Sequence, residues 1–350
     1  MSTELARSPS SADPLLAAWL WTLAALVFAM ILVGGATRLT DSGLSITEWQ
    51  PLLGAIPPLS QPQWLEAFEK YKAIPEYQIL NRGMSLGEFK QIYWWEWAHR
   101  FLGRIIGLVL ILPLLLLWLS GRIDRRMAKS LLILFLLGAL QGALGWYMVK
   151  SGLAERTDVS QYRLAAHLLL ASAIYSAIIW VALSLTLPRP RNLSGGTLWP
   201  LALIVLILVQ IGAGGLVAGL DAGLSHNTFP LMDGRLIPDG LLILKPRWRN
   251  VFENPLTVQF LHRLLAYVIA LAALFNALSF RHAGREARLS AWALLVLVVL
   301  QMALGIWTLL SAVPLHLGIL HQAGAMLLLA AAILHLHLAS PSVVQTPQRG

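Results

Sequence analysis

Eight stretches of the chain stay apolar for about the length needed to cross a bilayer, and polar segments carrying Gly, Pro and charge separate them. They run from Trp19 to Thr37, Tyr93 to Leu119, Met127 to Val149, Tyr162 to Leu187, Leu198 to Ala218, Thr257 to Phe280, Leu289 to Leu310 and Leu315 to Leu338. A crossing takes about 20 residues of helix. Backbone in lipid must satisfy its own N–H and C=O groups, which leaves helices or a closed barrel, and runs of this length predict helices. The first run continues into Gly34-Gly35 with no small-residue cleavage pattern, so it predicts a retained helix and not a signal peptide.

Composition agrees with that pattern. Hydrophobic residues make up 57% and charged residues 12% of 350, and the mean hydropathy is +0.68, which places the chain outside the soluble globular range. The charges sort by loop. Arg122, Arg125, Arg126 and Lys129 follow the second run, Arg189 and Arg191 the fourth, and Arg281, Arg285 and Arg288 the sixth. Short basic loops stay on the cytoplasmic side, so both termini are expected there, with the long segments Arg38–Ile92 and Gly219–Leu256 facing outward. The net charge of +9 is largely this topology signal, so membrane lipid is the expected partner and nucleic acid is not. With no cysteine, neither a disulfide nor a thiolate metal site is available.

The chain also repeats itself. Gly34-Gly35-Ala-Thr-Arg-Leu-Thr-Asp41-Ser-Gly43-Leu44-Ser45 matches Gly214-Gly215-Leu-Val-Ala-Gly-Leu-Asp221-Ala-Gly223-Leu224-Ser225 at six of twelve positions. Glu96-Trp-Ala-His99-Arg100 then matches Gln259-Phe-Leu-His262-Arg263, and Gln141-Gly-Ala-Leu-Gly145 matches Gln301-Met-Ala-Leu-Gly305. His167 and His321 close the two halves. Four elements in one order predict an all-α membrane protein of eight transmembrane helices in two pseudosymmetric four-helix bundles. The expected divisions are 1–187, a linker at 188–198 marked by Pro188, Pro190, Gly195 and Gly196, a second bundle at 199–340, and a tail at 341–350.

Four histidines draw attention inside these runs. His99, His167, His262 and His321 each lie five to seven residues past the start of an even-numbered run, roughly 7 to 11 Å below the outer edge at 1.5 Å per residue. A lone imidazole in a membrane helix often bonds only a neighbouring helix. Four at one level, in duplicated contexts, point instead to haem iron held between facing helices. His282, His335 and His337 are expected to be solvated or interfacial, and no role is expected for His226 or His316. Trp49, Trp94, Trp95, Trp97 and Trp146 fit an interfacial belt.

Arg100 and Arg263 directly follow two of these histidines, near the interface where haem propionates would project. A guanidinium matches a carboxylate in a two-pronged fashion, though anchoring to headgroups is the alternative. The halves differ at Glu96, whose counterpart is the neutral Gln259. A carboxylate beside a buried cofactor can exchange protons, which assigns chemistry to the first half and a resident cofactor to the second. The alternative for Glu96 is a structural ion pair with Arg100 four residues on. No Gly-rich nucleotide fingerprint follows a strand, so bound flavin or nicotinamide is not expected. Two rivals share the four histidines: a di-haem b-type electron-transfer cytochrome, which is better served by haems near opposite membrane faces, and a haem transporter or chaperone, which has no need of Glu96.

At these residues, together with Thr47-Glu48-Trp49-Gln50-Pro51, the chain resembles the haem A synthase family from Gly34 to about His321. The resemblance implies two pseudosymmetric bundles, with haem b as cofactor in the second and the substrate haem O in the first. It implies that His262 and His321 ligate haem b, that His99 and His167 hold the iron of haem O, and that Glu96 is the catalytic carboxylate. The family oxidises one porphyrin methyl group through a hydroxymethyl compound to a formyl group, giving haem A for terminal oxidases. The chain looks like the cysteine-free subgroup with a long first outer loop, so thiol-mediated reduction is excluded and the segment Asp41–Gln91 is expected to cover the first site. Implied besides are a bacterial inner-membrane location, haem O synthase and oxidase assembly factors as neighbours, and an electron partner of unknown kind; self-association is left open.

Overall fold

The computed structural model describes residues 14–50, 53–123, 125–155, 157–187 and 197–340. The expected linker at 188–198, with Arg189 and Arg191, lies mostly outside the described residues, and the tail at 341–350 wholly so. In chain order the helices are α1 (Pro14–Leu39), α2 (Gln61–Lys72), α3 (Pro75–Ile79), α4 (Leu86–Leu119), α5 (Arg125–Glu155), α6 (Gln161–Thr186), α7 (Leu198–Gly219), α8 (Asn250–Glu253), α9 (Pro255–Ser279), α10 (Arg285–Leu310) and α11 (Leu315–Ala339). Eight of them, all but α2, α3 and α8, are long and apolar enough to cross a membrane. Among the described residues there is no β-strand, only an isolated bridge between Met232 and Arg235.

Several helices begin before their apolar runs do. α4 starts at Leu86 and not at Tyr93, because Ser85 forms a reciprocal cap with Glu88: the Glu88 N–H donates to Ser85 Oγ at 3.3 Å and the Ser85 N–H donates to the Glu88 carboxylate at 2.7 Å. Its 34 residues span about 51 Å, more than the ~30 Å hydrocarbon core, so its first turns stand clear of the lipid. His99 therefore lies thirteen residues past the helix start, although only six past the start of the apolar run. α9 likewise starts at Pro255, where Asn254 accepts from the Leu256 N–H at 3.1 Å.

The eight long helices pack as two rings. α1 lies against α4 and α6, and α5 closes the first ring between α4 and α6; α7, α9, α10 and α11 form the second in the same order. The rings meet where α6 lies on α7 and α1 on α11, and small residues permit that approach. A Cβ at Gly215 would sit 3.0 Å from Ala165 Cα, and one at Gly219 would sit 2.7 Å from Gln161 Cα. Gln322 Nε2 of α11 donates a hydrogen bond of 3.1 Å to the Ile31 carbonyl of α1.

Closure of the two rings differs. α9 buries Ile269, Ala273, Asn276 and Ala277 and α10 buries Ala291, Leu294 and Val298. By contrast no residue of α4 from 97 to 119 is buried, and α5 buries little beyond Leu131 and Leu134. α4 and α5 make the loosest contact of any neighbouring pair in either ring, and Leu108, Leu112, Leu116, Leu132, Leu136 and Leu140 of these helices are exposed.

Both long connections lie at the end where α1 finishes, called here the loop end. The first is a folded cap. Trp64, Phe68 and Tyr71 of α2, Ile74, and Phe89 and Tyr93 of α4 bury one another around Leu44 and Val159. Within it Glu76 is 3% exposed; Tyr71 Oη donates to its carboxylate at 3.1 Å, and burial pushes its pKa up to about 8. Arg38 ties the two connections together, donating to Asp41 at 2.5 Å and Asp221 at 2.8 Å, the matched aspartates of the repeat.

At the opposite end one expectation fails. His335 and His337 are buried, at 0% and 3% exposure, and not solvated. His335 sits between Asn276 Nδ2 at 3.0 Å and Ser290 Oγ at 2.8 Å, and His337 meets the edge of Trp180. Helix packing supplied the polar partners that water was expected to provide. His282 and His316 are exposed, and His226 bonds Asp233 within the second connection.

Candidate functional site

Each of the four predicted histidines rests on a glycine of a neighbouring helix. A Cβ at Gly34 of α1 would stand 3.0 Å from His99 Nε2, and one at Gly145 of α5 would stand 3.1 Å from His167 Cε1. In the second ring, Gly214 of α7 seats His262 at 3.3 Å from Cε1, and Gly305 of α10 seats His321 at 2.7 Å. At these distances an added Cβ would press on each ring, and hardest at Gly305. The seats place all four rings near the loop end, since Gly34, Gly214 and Gly305 each lie five residues before their helices finish.

The carriers stand diagonally across each ring: α4 and α6 in the first, α9 and α11 in the second. His99 lies within electrostatic reach of His167, and His262 within reach of His321. Side-chain amides back three of them. Gln141 Nε2 donates to the His167 carbonyl at 3.1 Å and meets its Nε2 at 3.2 Å; Gln210 does the same to His262 at 3.1 and 3.3 Å; Gln301 bonds the His321 carbonyl at 2.7 Å and meets its Nδ1 at 3.1 Å. Gln210 was not singled out in the sequence, although it stands four residues before Gly214 in the spacing of Gln141-Gly145 and Gln301-Gly305.

Glu96 and Arg100 form a lock. The buried Glu96 accepts from Arg100 Nε at 3.0 Å and Nη2 at 2.6 Å through one oxygen, and from Ser45 Oγ and the Ile46 N–H, both at 2.7 Å, through the other. Arg100 also donates to the carbonyls of Ile46 at 2.7 Å and Glu48 at 3.0 Å. The second half reproduces this pattern residue for residue. Arg263 donates to Gln259 Oε1 at 2.7 Å and to the carbonyls of His226 and Thr228, each at 2.8 Å. Where Glu96 accepts an N–H and a hydroxyl, Gln259 instead donates to the carbonyls of Ala222 and Ser225. The ion pair weighed as an alternative for Glu96 therefore forms, and each arginine also gives two hydrogen bonds to carbonyls of the connection above the site. Arg263 Nε remains buried with no partner.

Among the described residues no cluster of three or more His, Asp or Glu gathers to hold a bare metal ion. Two neutral imidazoles from diagonal helices are instead the donor type that an iron porphyrin takes at its axial positions. His167 Nδ1 and His262 Nδ1 are buried without a hydrogen-bond partner, as nitrogens awaiting a ligand would be.

Known proteins extend the comparison. Residues 17–333 match the family model described as cytochrome oxidase assembly protein (COX15-CtaA). The chain is 52% identical to a protein named heme A synthase from Mesorhizobium japonicum over 321 residues, 91% of this chain and 88% of that one. It is 52% identical to heme A synthase of Azorhizobium caulinodans over 333 residues, 94% of each chain, and 52% identical to that of Nitrosospira multiformis over 325 residues, 91% of each. Aligned over most of its length and through every one of the four histidine seats, the chain belongs to the COX15-CtaA family of cytochrome oxidase assembly proteins.

Proposed function

We propose that this chain is a haem A synthase, a membrane oxidoreductase that oxidises a methyl group of haem O to the formyl group of haem A. The observation that carries this reading is the duplicated pair of glycine-seated imidazoles in a chain about half identical to named heme A synthases.

The substrate belongs in the first ring. A prenylated porphyrin partitions into lipid and has to enter and leave sideways, and the loosely packed seam between α4 and α5 is the route that parts most easily. The closed second ring suits a resident haem b, which supplies one-electron transfer when bound. His99 and His167 hold the substrate iron, and His262 and His321 hold haem b. Arg263 directs its unpartnered Nε at a propionate, and Arg100, the matched residue, stands at the same place in the first half. Glu96 is the catalytic carboxylate: it exchanges the protons that leave as the methyl carbon is oxidised, and Arg100, Ser45 and Ile46 fix its position. The folded cap keeps bulk water from this end of the site. Arg122, Arg285 and Arg288 gather at the opposite end, so by charge that end is cytoplasmic and the haems lie toward the outer face of the inner membrane.

Glu96→Gln installs the second half's residue and tests the assignment. Haem A formation should be lost while haem b is retained, and Ser45→Ala, which removes one bond of the lock and keeps the carboxylate, should still make haem A. Haem A formation by Glu96→Gln would remove Glu96 from the chemistry. Absence of haem A from cells that express the unaltered chain and contain haem O would remove the enzyme reading. Haem b in both rings with no haem O or A would identify an electron-transfer cytochrome.

A further inference from the structure

The glutamines behind the histidines are unequal across the site. Gln141, Gln210 and Gln301 each precede a glycine seat by four residues, so amide and seat share one helix face. Each amide holds the histidine twice, at its main-chain carbonyl and at a ring nitrogen. The carbonyl can only accept, which fixes the amide nitrogen toward it and leaves the oxygen free. Here the amide nitrogen donates to the ring nitrogen, which accepts. Once the other ring nitrogen binds metal this one carries an N–H, and the amide turns its oxygen to it while its nitrogen keeps the carbonyl, a role for which Gln141 Oε1 and Gln210 Oε1 are buried and unpartnered. Gln301 is accommodated by Gly324 of α11, where a Cβ would collide with its Oε1.

The fourth seat breaks the pattern. Four residues before Gly34 stands Met30, whose methyl lies 3.1 Å from where a Cβ at Gly103 would be, one turn beyond His99. Among the described residues no side-chain amide bonds the His99 ring.

We propose that Gln141, Gln210 and Gln301 are positioning residues that fix the rotation and basicity of His167, His262 and His321 as axial ligands, and that Met30 leaves His99 unrestrained as the exchangeable ligand of the substrate iron. The inference rests on the haem reading above. A partner at the distal ring nitrogen orients an imidazole ligand and strengthens it. Two restrained ligands suit a cofactor that stays; one restrained and one free ligand suit a porphyrin that must be released after each turnover.

The test uses the purified full-length protein with its copurifying haems and measures carbon monoxide affinity of the reduced protein and the midpoint potential of each haem. Gln301→Leu and Gln210→Leu should raise carbon monoxide affinity at haem b at least tenfold and shift its potential. Gln301→Glu, which keeps an acceptor and adds charge, should leave carbon monoxide excluded and lower the potential. Met30→Gln should weaken carbon monoxide binding in the first ring at least tenfold and raise the haem O plus haem A retained. Leucine variants that match the unaltered protein would overturn the positioning role, as would Gln301→Leu and Gln301→Glu shifting the potential in one direction, which marks packing damage alone. Unchanged behaviour of Met30→Gln would overturn the assignment of His99. An unaltered protein that purifies with no haem is a distinct result and removes the functional reading beneath the inference.

Discussion

Gly305→Ala places a methyl group where the His321 ring now lies, and its effect follows from two opposing quantities. Alanine is favoured over glycine inside a helix by about 0.5–1 kcal/mol. Against this, the added Cβ would stand 2.7 Å from His321 Cε1, whereas carbons pack best at about 3.5–4.0 Å. The ring must retreat by roughly 0.8 Å or more, and overpacking of this kind costs about 1–3 kcal/mol. Cε1 is bonded to both ring nitrogens, so whichever one binds iron moves with it. A functional site tolerates displacements of only about 0.5 Å. Gly305→Ala should therefore lose most of its haem b while the protein loses at most about 2.5 kcal/mol of stability. Gly214→Ala, with its contact at 3.3 Å, should lose less. Gly142→Ala, with nothing within 4 Å, is a control that should keep its haem and gain stability. Haem per protein from the pyridine haemochrome and thermal melting in detergent read both quantities. Full haem content in Gly305→Ala, or equal losses in Gly142→Ala, would refute the idea that glycine seats set the ligand position.

Other outcomes follow from groups away from the seats. Glu76 keeps its proton in the folded cap up to about pH 8, whereas an unfolded chain releases it near the ordinary 4.5. Its stabilisation is thus complete below pH 4.5 and fades as pH rises through 8. Glu76→Gln should flatten the fall in melting temperature between pH 6 and 9, and parallel curves for the two proteins would contradict this. Asn276→Leu strands the His335 ring nitrogen in the core; a cost of about 1–3 kcal/mol should lower the melting temperature without changing haem content, and unchanged melting would count against the network.

The membrane architecture was legible because apolar runs of crossing length have few structural alternatives, and the duplicated motifs disclosed which helices correspond. Helix starts were less legible. Ser85 and Glu88 carry polar side chains, and a hydropathy run begins only where lipid does, so the first two turns of α4 were missed. The solvated expectation for His335 failed because Asn276 and Ser290 reach it from other helices, a long-range pairing that no local pattern contains. Gln210 had a visible signal in its spacing to Gly214, but a glutamine in an apolar run gains meaning only when the histidine it touches, 52 residues away, is brought alongside. The Glu96 to Gln259 difference was visible as a change of charge. That it also reverses the direction of the hydrogen bonds to the connection above the site needed the folded loops.

Haem extraction from the purified chain, followed by chromatography, tests the central claim most directly, with His262→Ala and His99→Ala run beside the unaltered protein. The account predicts haem b together with haem O or haem A in the unaltered chain, selective loss of haem b from His262→Ala, and selective loss of haem O and A from His99→Ala. A chain that carries no haem, or variants that lose both kinds equally, would contradict two separate porphyrin sites each gripped by its own pair of imidazoles.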